Sequence, residues 1–325
     1  MKLIDQIVID IDRHVFNSLS SINEKLDYYR DLIDKGLSNL PDEEFDSLHK
    51  EITKFFNVQF AAFTTAEPTK LFRISFNKPI TNQGRGGHLK NITQLLGPPP
   101  GKATFGRCNL PGESVFYSAL DFNTAVWETK PQYDDVITLS EWKIKEGKNI
   151  IINSIFNHPD IADVNAESKK TYETYLKEMD KMHPKQWELF DSIIKFVTEQ
   201  FVRPIPKDKP KEYLFSAHFS SKLFQPGPDD FRIEAIVYPS IQRKYGVTNL
   251  AILNEIILER FDPVAITTHD VVETYYDKDP QSNESVLGVF PAFSRITEFD
   301  IPNDKIIYPD PKAELAELLK KLRKN

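Results

Sequence analysis

Apolar side chains at Ile4, Val8, Ile11, Val15, Leu19, Ile22, Leu26, Tyr29 and Ile33 recur every three or four residues, a spacing that predicts one amphipathic helix face. Gly36 and Pro41 interrupt the pattern. Asp42-Glu43-Glu44 then suits the positive end of a second helix dipole, which would bury Phe45, Leu48, Ile52 and Phe55. The texture changes near residue 66. KLFRISF (70–76) reads as a strand, and 77–112, rich in Gly, Pro and Asn, as long loops. ESVFYSAL (113–120) alternates like a strand, and Asp121 or Asn123 is placed to cap a short helix, NTAVWETK. Strand-like runs follow at 135–143 and 149–155, helical spacing returns over 166–203, and KEYLFSAHFSSKLF (211–224) reads as another helix. FRIEAIVYPS (231–240), TNLAIL (248–253) and PVAITTH (263–269) read as strands, and PKAELAELLKKLRKN as a terminal amphipathic helix.

This order predicts an α+β chain with a sheet core, added N-terminal helices and a helical insertion. The expected divisions are an N-terminal helical region at 1–65, a main domain at 66–310 with the insertion at about 141–210, and a C-terminal helix at 311–325. The N-terminal helices would form a layer on the core, a cap or an oligomerisation arm.

Composition narrows the function classes. A length of 325 residues with 23 Phe supports a large core. The net charge of −7 lacks the basic footprint of nucleic-acid binding. The single cysteine forms no internal disulfide and is compatible with a reducing compartment. With neither a signal-like apolar stretch nor a membrane-length one, the expectation is a soluble cytoplasmic protein without membrane partners.

Several motifs carry little. GPPPGKA (97–103) lacks a spacer residue of the phosphate loop, has Ala103 where a hydroxyl should meet magnesium, and loses backbone donors to three prolines. No glycine-rich strand-to-helix turn suggests a dinucleotide cofactor, and the scattered histidines lack metal-ligand spacing. Cys108 has no identifiable catalytic partner, so an incidental thiol is the simpler reading; His218 and His269 read as ordinary, partly buried histidines.

One stretch stands apart: FGRCNLPGESVFYSALDFNTAVWET (105–129). A loop carries Arg107 and Asn109, a strand carries Tyr117 ten residues on, and a helix carries Glu128 eleven residues after that. Together with IEAIVYPSIQRKYGVTNLAI (233–252), it resembles the two blocks of the RES domain family, toxin-like proteins that cleave NAD⁺. The Arg, Glu and Ser that name the family fall on Arg107, Glu128 and Ser240, with Tyr117 as a fourth member and Arg73 matching an arginine that opens the domain. Cys108 stands where the family has Trp, and Phe105 replaces a glycine. The resemblance covers roughly 68–130 and 210–300.

The resemblance implies an ADP-ribosyltransferase-like core and cleavage of the nicotinamide–ribose bond, with water or inorganic phosphate as acceptor. NAD⁺ would be a substrate, with no separate cofactor and no metal. An antitoxin-like partner and a homo-oligomer are compatible with it. The side chains suit this chemistry. An ionised Glu128 would stabilise a cationic ribose, and Arg107 and Arg73 would fork onto the diphosphate. Tyr117 would offer a flat face and a hydroxyl, and Ser240, Asn109 and Asn249 polar contacts. Taken singly, each residue has an ordinary reading: a surface arginine, a core tyrosine, a solvated glutamate, a turn serine. A protein-directed ADP-ribosyltransferase and a non-catalytic nucleotide-binding module are the alternatives.

Overall fold

The computed structural model describes residues 5–9, 19–55, 60–66, 68–82, 87–155, 166–180, 183–226, 231–242, 244, 246–274, 288–290 and 292–309. The terminal helix expected at 311–325 lies outside the described residues. Fourteen strands are described: β1 Asp5–Ile9, β2 Phe60–Ala66, β3 Leu71–Phe76, β4 Val115–Ala119, β5 Val136–Ile144, β6 Ile150–Ser154, β7 Ala235–Pro239, β8 Thr248–Leu253, β9 Phe261–Asp270, β10 Glu273–Thr274, β11 Gly288–Val289, β12 Ala292–Ile296, β13 Phe299–Asp300 and β14 Lys305–Ile306. The helices are α1 Leu19–Lys35, α2 Asp42–Phe55, α3 Asn77–Thr81, α4 Phe122–Thr129, α5 Ala166–Met179, α6 Pro184–Val202, α7 Leu214–Leu223 and α8 Ile257–Arg260. None of the described helices is long and apolar enough to cross a membrane.

The fold is α+β around one mixed ten-stranded sheet in the order β1-β2-β6-β7-β8-β4-β3-β5-β9-β12. All its neighbours run antiparallel except β6 and β7, which pair in parallel through Ile152–Ala235, Asn153–Ile236 and Ser154–Val237. Adjacent parallel strands need a long crossover. Helices α5, α6 and α7 supply it, so the stretch expected as an insertion from 141 contains a sheet strand, β6, and the connection that makes its pairing possible.

Residues 5–9 correct the expected first helix. The stripe at Ile4, Val8, Ile11 and Val15 continues the phase of α1, but DQIVI pairs antiparallel with β2 along the sheet edge. Sheet pairing overrides a helical spacing this short. From Leu19 onward the helix forms as expected, burying Ile22, Leu26, Tyr29 and Ile33, and α2 buries Phe45, Leu48 and Ile52.

These helices do not form a separate body. Tyr29 of α1, Phe196 of α6 and Phe215 of α7 pack ring to ring at 5.0–6.1 Å, and Arg30 bridges to Glu199. One continuous apolar cluster joins α1, α2, α6 and α7 to β4, β6, β7 and β8. A smaller cluster packs Ala125, Val126 and Trp127 of α4 against Ile74, Ala119 and Ile137. Strands β7 and β8 are buried along their whole length, as expected for the middle of a covered sheet.

Candidate functional site

Strand register brings the site together. Side chains of directly opposed residues share a sheet face, and alternate residues of a strand return to it. Tyr238 on β7 lies opposite Asn249 on β8, and Asn249 lies opposite Ala119 on β4. Tyr117, two residues before Ala119, therefore shares their face. Helix α4 follows β4 directly. Asp121 accepts from the Thr124 amide at 2.9 Å and from its hydroxyl at 2.6 Å, which starts the helix, and Lys130 ends it in a left-handed conformation with φ 43°. The Lys207 ammonium covers the last carbonyl, Thr129 O, at 2.5 Å. Glu128 in the final turn reaches back over the sheet.

There one carboxylate oxygen, Oε1, accepts from the Ser240 hydroxyl at 2.5 Å and from the Asn249 amide at 2.8 Å. Ser240 and Asn249 are both buried, and Glu128 is partly so. Thus residues 112 and 121 positions apart in sequence meet at one atom. Ser240 is fixed in turn by its own amide, which donates to Val247 O at 2.9 Å across the turn into β8.

The second oxygen of Glu128 takes no hydrogen bond and no ion pair among the described residues. Three other glutamates of the core use both of theirs. Glu113 accepts from Ser221 and from the Leu110 amide. Glu212 accepts from the Ser38 amide and from Arg203. Glu234 accepts from Arg260 and from the Ile151 amide. Glu128 alone of these four is held on one side and left uncompensated on the other.

Tyr117, the other strand-borne site residue, is committed to its own loop. Its hydroxyl donates to Asn109 Oδ1 and accepts from the Cys108 amide, both at 2.8 Å. Asn109 in turn donates to Thr104 O and Leu110 O. Gly106 has to be glycine here: a Cβ would stand 2.4 Å from Asn109 Oδ1 and 2.7 Å from the Tyr117 hydroxyl. Burial pushes the hydroxyls of Tyr117 and Tyr238 well above their ordinary pKa, so both stay protonated donors. Burial also pushes the Cys108 thiol up to about 12, despite a hydrogen bond with Ser220. A thiol so placed is a poor nucleophile.

Both arginines are engaged with main-chain carbonyls. Arg107 spends its fork on the chain itself: it donates to Gln200 O at 3.2 Å, Phe201 O at 2.6 Å and Arg203 O at 3.3 Å, and stacks on Tyr213. These carbonyls end α6, where a cation is favoured by the helix dipole. Arg73, expected as a second phosphate contact, is on the opposite face. It lies opposite Ser140, rests on the Phe116 ring and donates to Leu95 O and Tyr117 O. Its charge answers two buried carbonyls, and burial lowers its pKa to about 10.

Tyr238, which lies in the second block, is not among the site residues read from sequence. Its ring packs on Phe201, and Arg107, Tyr117, Cys108 and Glu128 are all close enough to act on its hydroxyl electrostatically. The signal was available: two residues before Ser240 in an extended segment, Tyr238 has to share its face.

A cavity of about 390 Å³ opens at the Val115 end of β4, lined by Glu113, Ser114, Ser221, Arg232 and Asn254 among others. It lies at the far end of the strand from Ala119 and Glu128. Its charged groups are already paired, Arg232 with Glu255 and Glu113 with Ser221. Comparison with protein-family models and with curated proteins finds no match for the chain.

Proposed function

We propose that the chain cleaves NAD⁺ at the nicotinamide–ribose bond on an ADP-ribosyltransferase-like core, with Glu128 as the central catalytic residue. The observation that carries the reading is the state of that carboxylate: Oε1 is oriented by Ser240 and Asn249, while no cation pairs with it among the described residues. Such a group is preorganised for positive charge that appears only during reaction.

When the C1′–N bond of the nicotinamide riboside breaks, both electrons leave with nicotinamide. The ribose becomes oxocarbenium-like. Glu128, through its uncommitted oxygen, stabilises that carbon or accepts from a ribose hydroxyl. Water or inorganic phosphate then bonds to C1′ through oxygen and gives up a proton. The products are nicotinamide with ADP-ribose or its 1″-phosphate. Nicotinamide departs as a neutral base and needs no proton from the protein.

Tyr117 contributes through its ring and by holding the 105–110 loop, and Arg107 by fixing the end of α6 beside Tyr238. Both are positioning residues in this reading, since their polar atoms are engaged. The test is incubation of the pure chain with NAD⁺, with and without inorganic phosphate, and identification of the products. Release of nicotinamide with a small-molecule ADP-ribose product is expected. Label retained on protein would replace this reading with a transferase, and binding without release with a sensor.

A further inference from the structure

We infer that Tyr238 is a further catalytic residue, its hydroxyl donating a hydrogen bond to the carboxamide oxygen of the departing nicotinamide. The inference rests on the proposed NAD⁺ cleavage and gives a role to Tyr238, which lies in the second block but is not among the site residues read from it.

The argument begins with donors. Ser240 looks from sequence like the natural partner for a substrate carbonyl, but a serine has one O–H, and Glu128 takes it. The Tyr117 hydroxyl is spent on Asn109. Arg107 has turned to the carbonyls of Gln200, Phe201 and Arg203. The Tyr238 hydroxyl makes no hydrogen bond among the described residues, although its residue is 7% exposed. Its oxygen is not sealed off from solvent, so the donor is open to an incoming acceptor.

Its position fits the demand. Tyr238 stands directly opposite Asn249, one of the two donors that orient Glu128, and two residues before Ser240, the other. The ring is braced by Phe201 at 6.1 Å, at the end of the helix that Arg107 secures. Strands β7 and β8 and helix α6 thus hold the aromatic ring on the sheet face that carries Asn249.

The chemistry gives that donor a kinetic role. In bound NAD⁺ the pyridinium ring is electron-poor and its carboxamide oxygen a weak acceptor. As the bond pair moves onto the ring nitrogen, the ring becomes neutral and the oxygen a better acceptor. A hydrogen bond that strengthens toward the transition state raises turnover more than affinity.

The experiment is Tyr238→Phe in the full chain, assayed by nicotinamide release. A fall in kcat on the order of 10² is expected, the scale of losing one preorganised donor. KM should stay within about threefold and thermal unfolding should be unchanged, because the ring and its packing remain. The decisive arm repeats the comparison with the dinucleotide analogue whose pyridinium ring carries no carboxamide. There the penalty should vanish, as a coupling cycle requires. Turnover of the Phe variant within about threefold of the parent overturns the inference and leaves the NAD⁺ reading standing. A penalty that persists with the analogue, or a large fall in melting temperature, also overturns it. A parent that releases no nicotinamide overturns both.

Discussion

Glu128 and Glu212 are both glutamates on the helical side of the same core, and the chain treats them in opposite ways. Glu212 is fully compensated: the Ser38 amide holds Oε1, Arg203 holds Oε2, and the Arg203 fork also covers the Glu212 carbonyl. Burial opposes its ionisation, but these donors outweigh burial and keep its carboxyl below the usual range. Glu128 has two neutral donors on one oxygen and, among the described residues, no cation. The first arrangement satisfies a charge so that elements stay joined, here the 37–39 turn, the 203–209 loop and the start of α7. The second orients a charge and leaves it available. In this pair the difference lies in what the second oxygen meets.

The contrast breaks most directly by neutralising each in turn. Glu128→Gln should lower nicotinamide release by on the order of 10²–10³ while NAD⁺ binding, followed by calorimetry, stays largely intact. Its unfolding midpoint should stay close to the parent's, since no ion pair is lost. Glu212→Gln should do the reverse. Breaking a buried pair and leaving Arg203 uncompensated should cost about 3 kcal/mol in urea unfolding, with turnover of the folded fraction preserved. If Glu128→Gln proved the less stable and Glu212→Gln the less active, the distinction would fail.

Acid sensitivity sharpens the same comparison, because the fold has a titrating group of its own. His218 in α7 meets His49 of α2 at 4.5 Å, edge to face, with its Nε2 buried and unpartnered. Asp46 lies near His49, and Lys222 near His218 on its own helix. Burial lowers His218 to about 3, with His49 and Lys222 adding to the effect. Between its ordinary value near 6.5 and 3 the unfolded chain binds a proton that the folded chain refuses. Stability therefore falls as pH falls through this window, by at most about 1.4 kcal/mol per pH unit, and levels off below it. His218→Phe should flatten that slope in urea titrations at pH 7.5, 6 and 5. An unchanged slope would assign the acid loss to other groups.

The smallest expected effect belongs to Arg107. A lysine there keeps the charge but not the fork across Gln200, Phe201 and Arg203. About 1 kcal/mol of stability should be lost, with a modest fall in turnover and little change in NAD⁺ affinity. A large rise in KM instead would return Arg107 to the diphosphate.

Much of this was legible along the chain. Alternation in VFYSA and the Asp121 cap were enough to place β4 and α4, and the two-block pattern named both Glu128 and Ser240. What escaped was long-range. Nothing near Arg107 says that its partners are carbonyls 93–96 residues away. Arg73 sits in a well-read strand, but which face it takes depends on pairing with β5. The strand FAAFTTA has too few strongly apolar positions to announce itself, and β1 was hidden by sharing the helical phase of α1. In each case the deciding contact lies in another segment.

The place of β8 in the sheet has a consequence in time. It enters between β7 and β4, and it carries Asn249. Glu128 leaves the ribosome first, and 121 further residues must follow before Asn249 exists. At about 5–20 residues per second, that interval is on the order of ten seconds. For most of it β4 and α4 have been made, but the carboxylate has neither donor that orients it, since Ser240 itself is 112 residues further on. The Ser240–Glu128–Asn249 contact can form only when synthesis has passed the middle of the sheet.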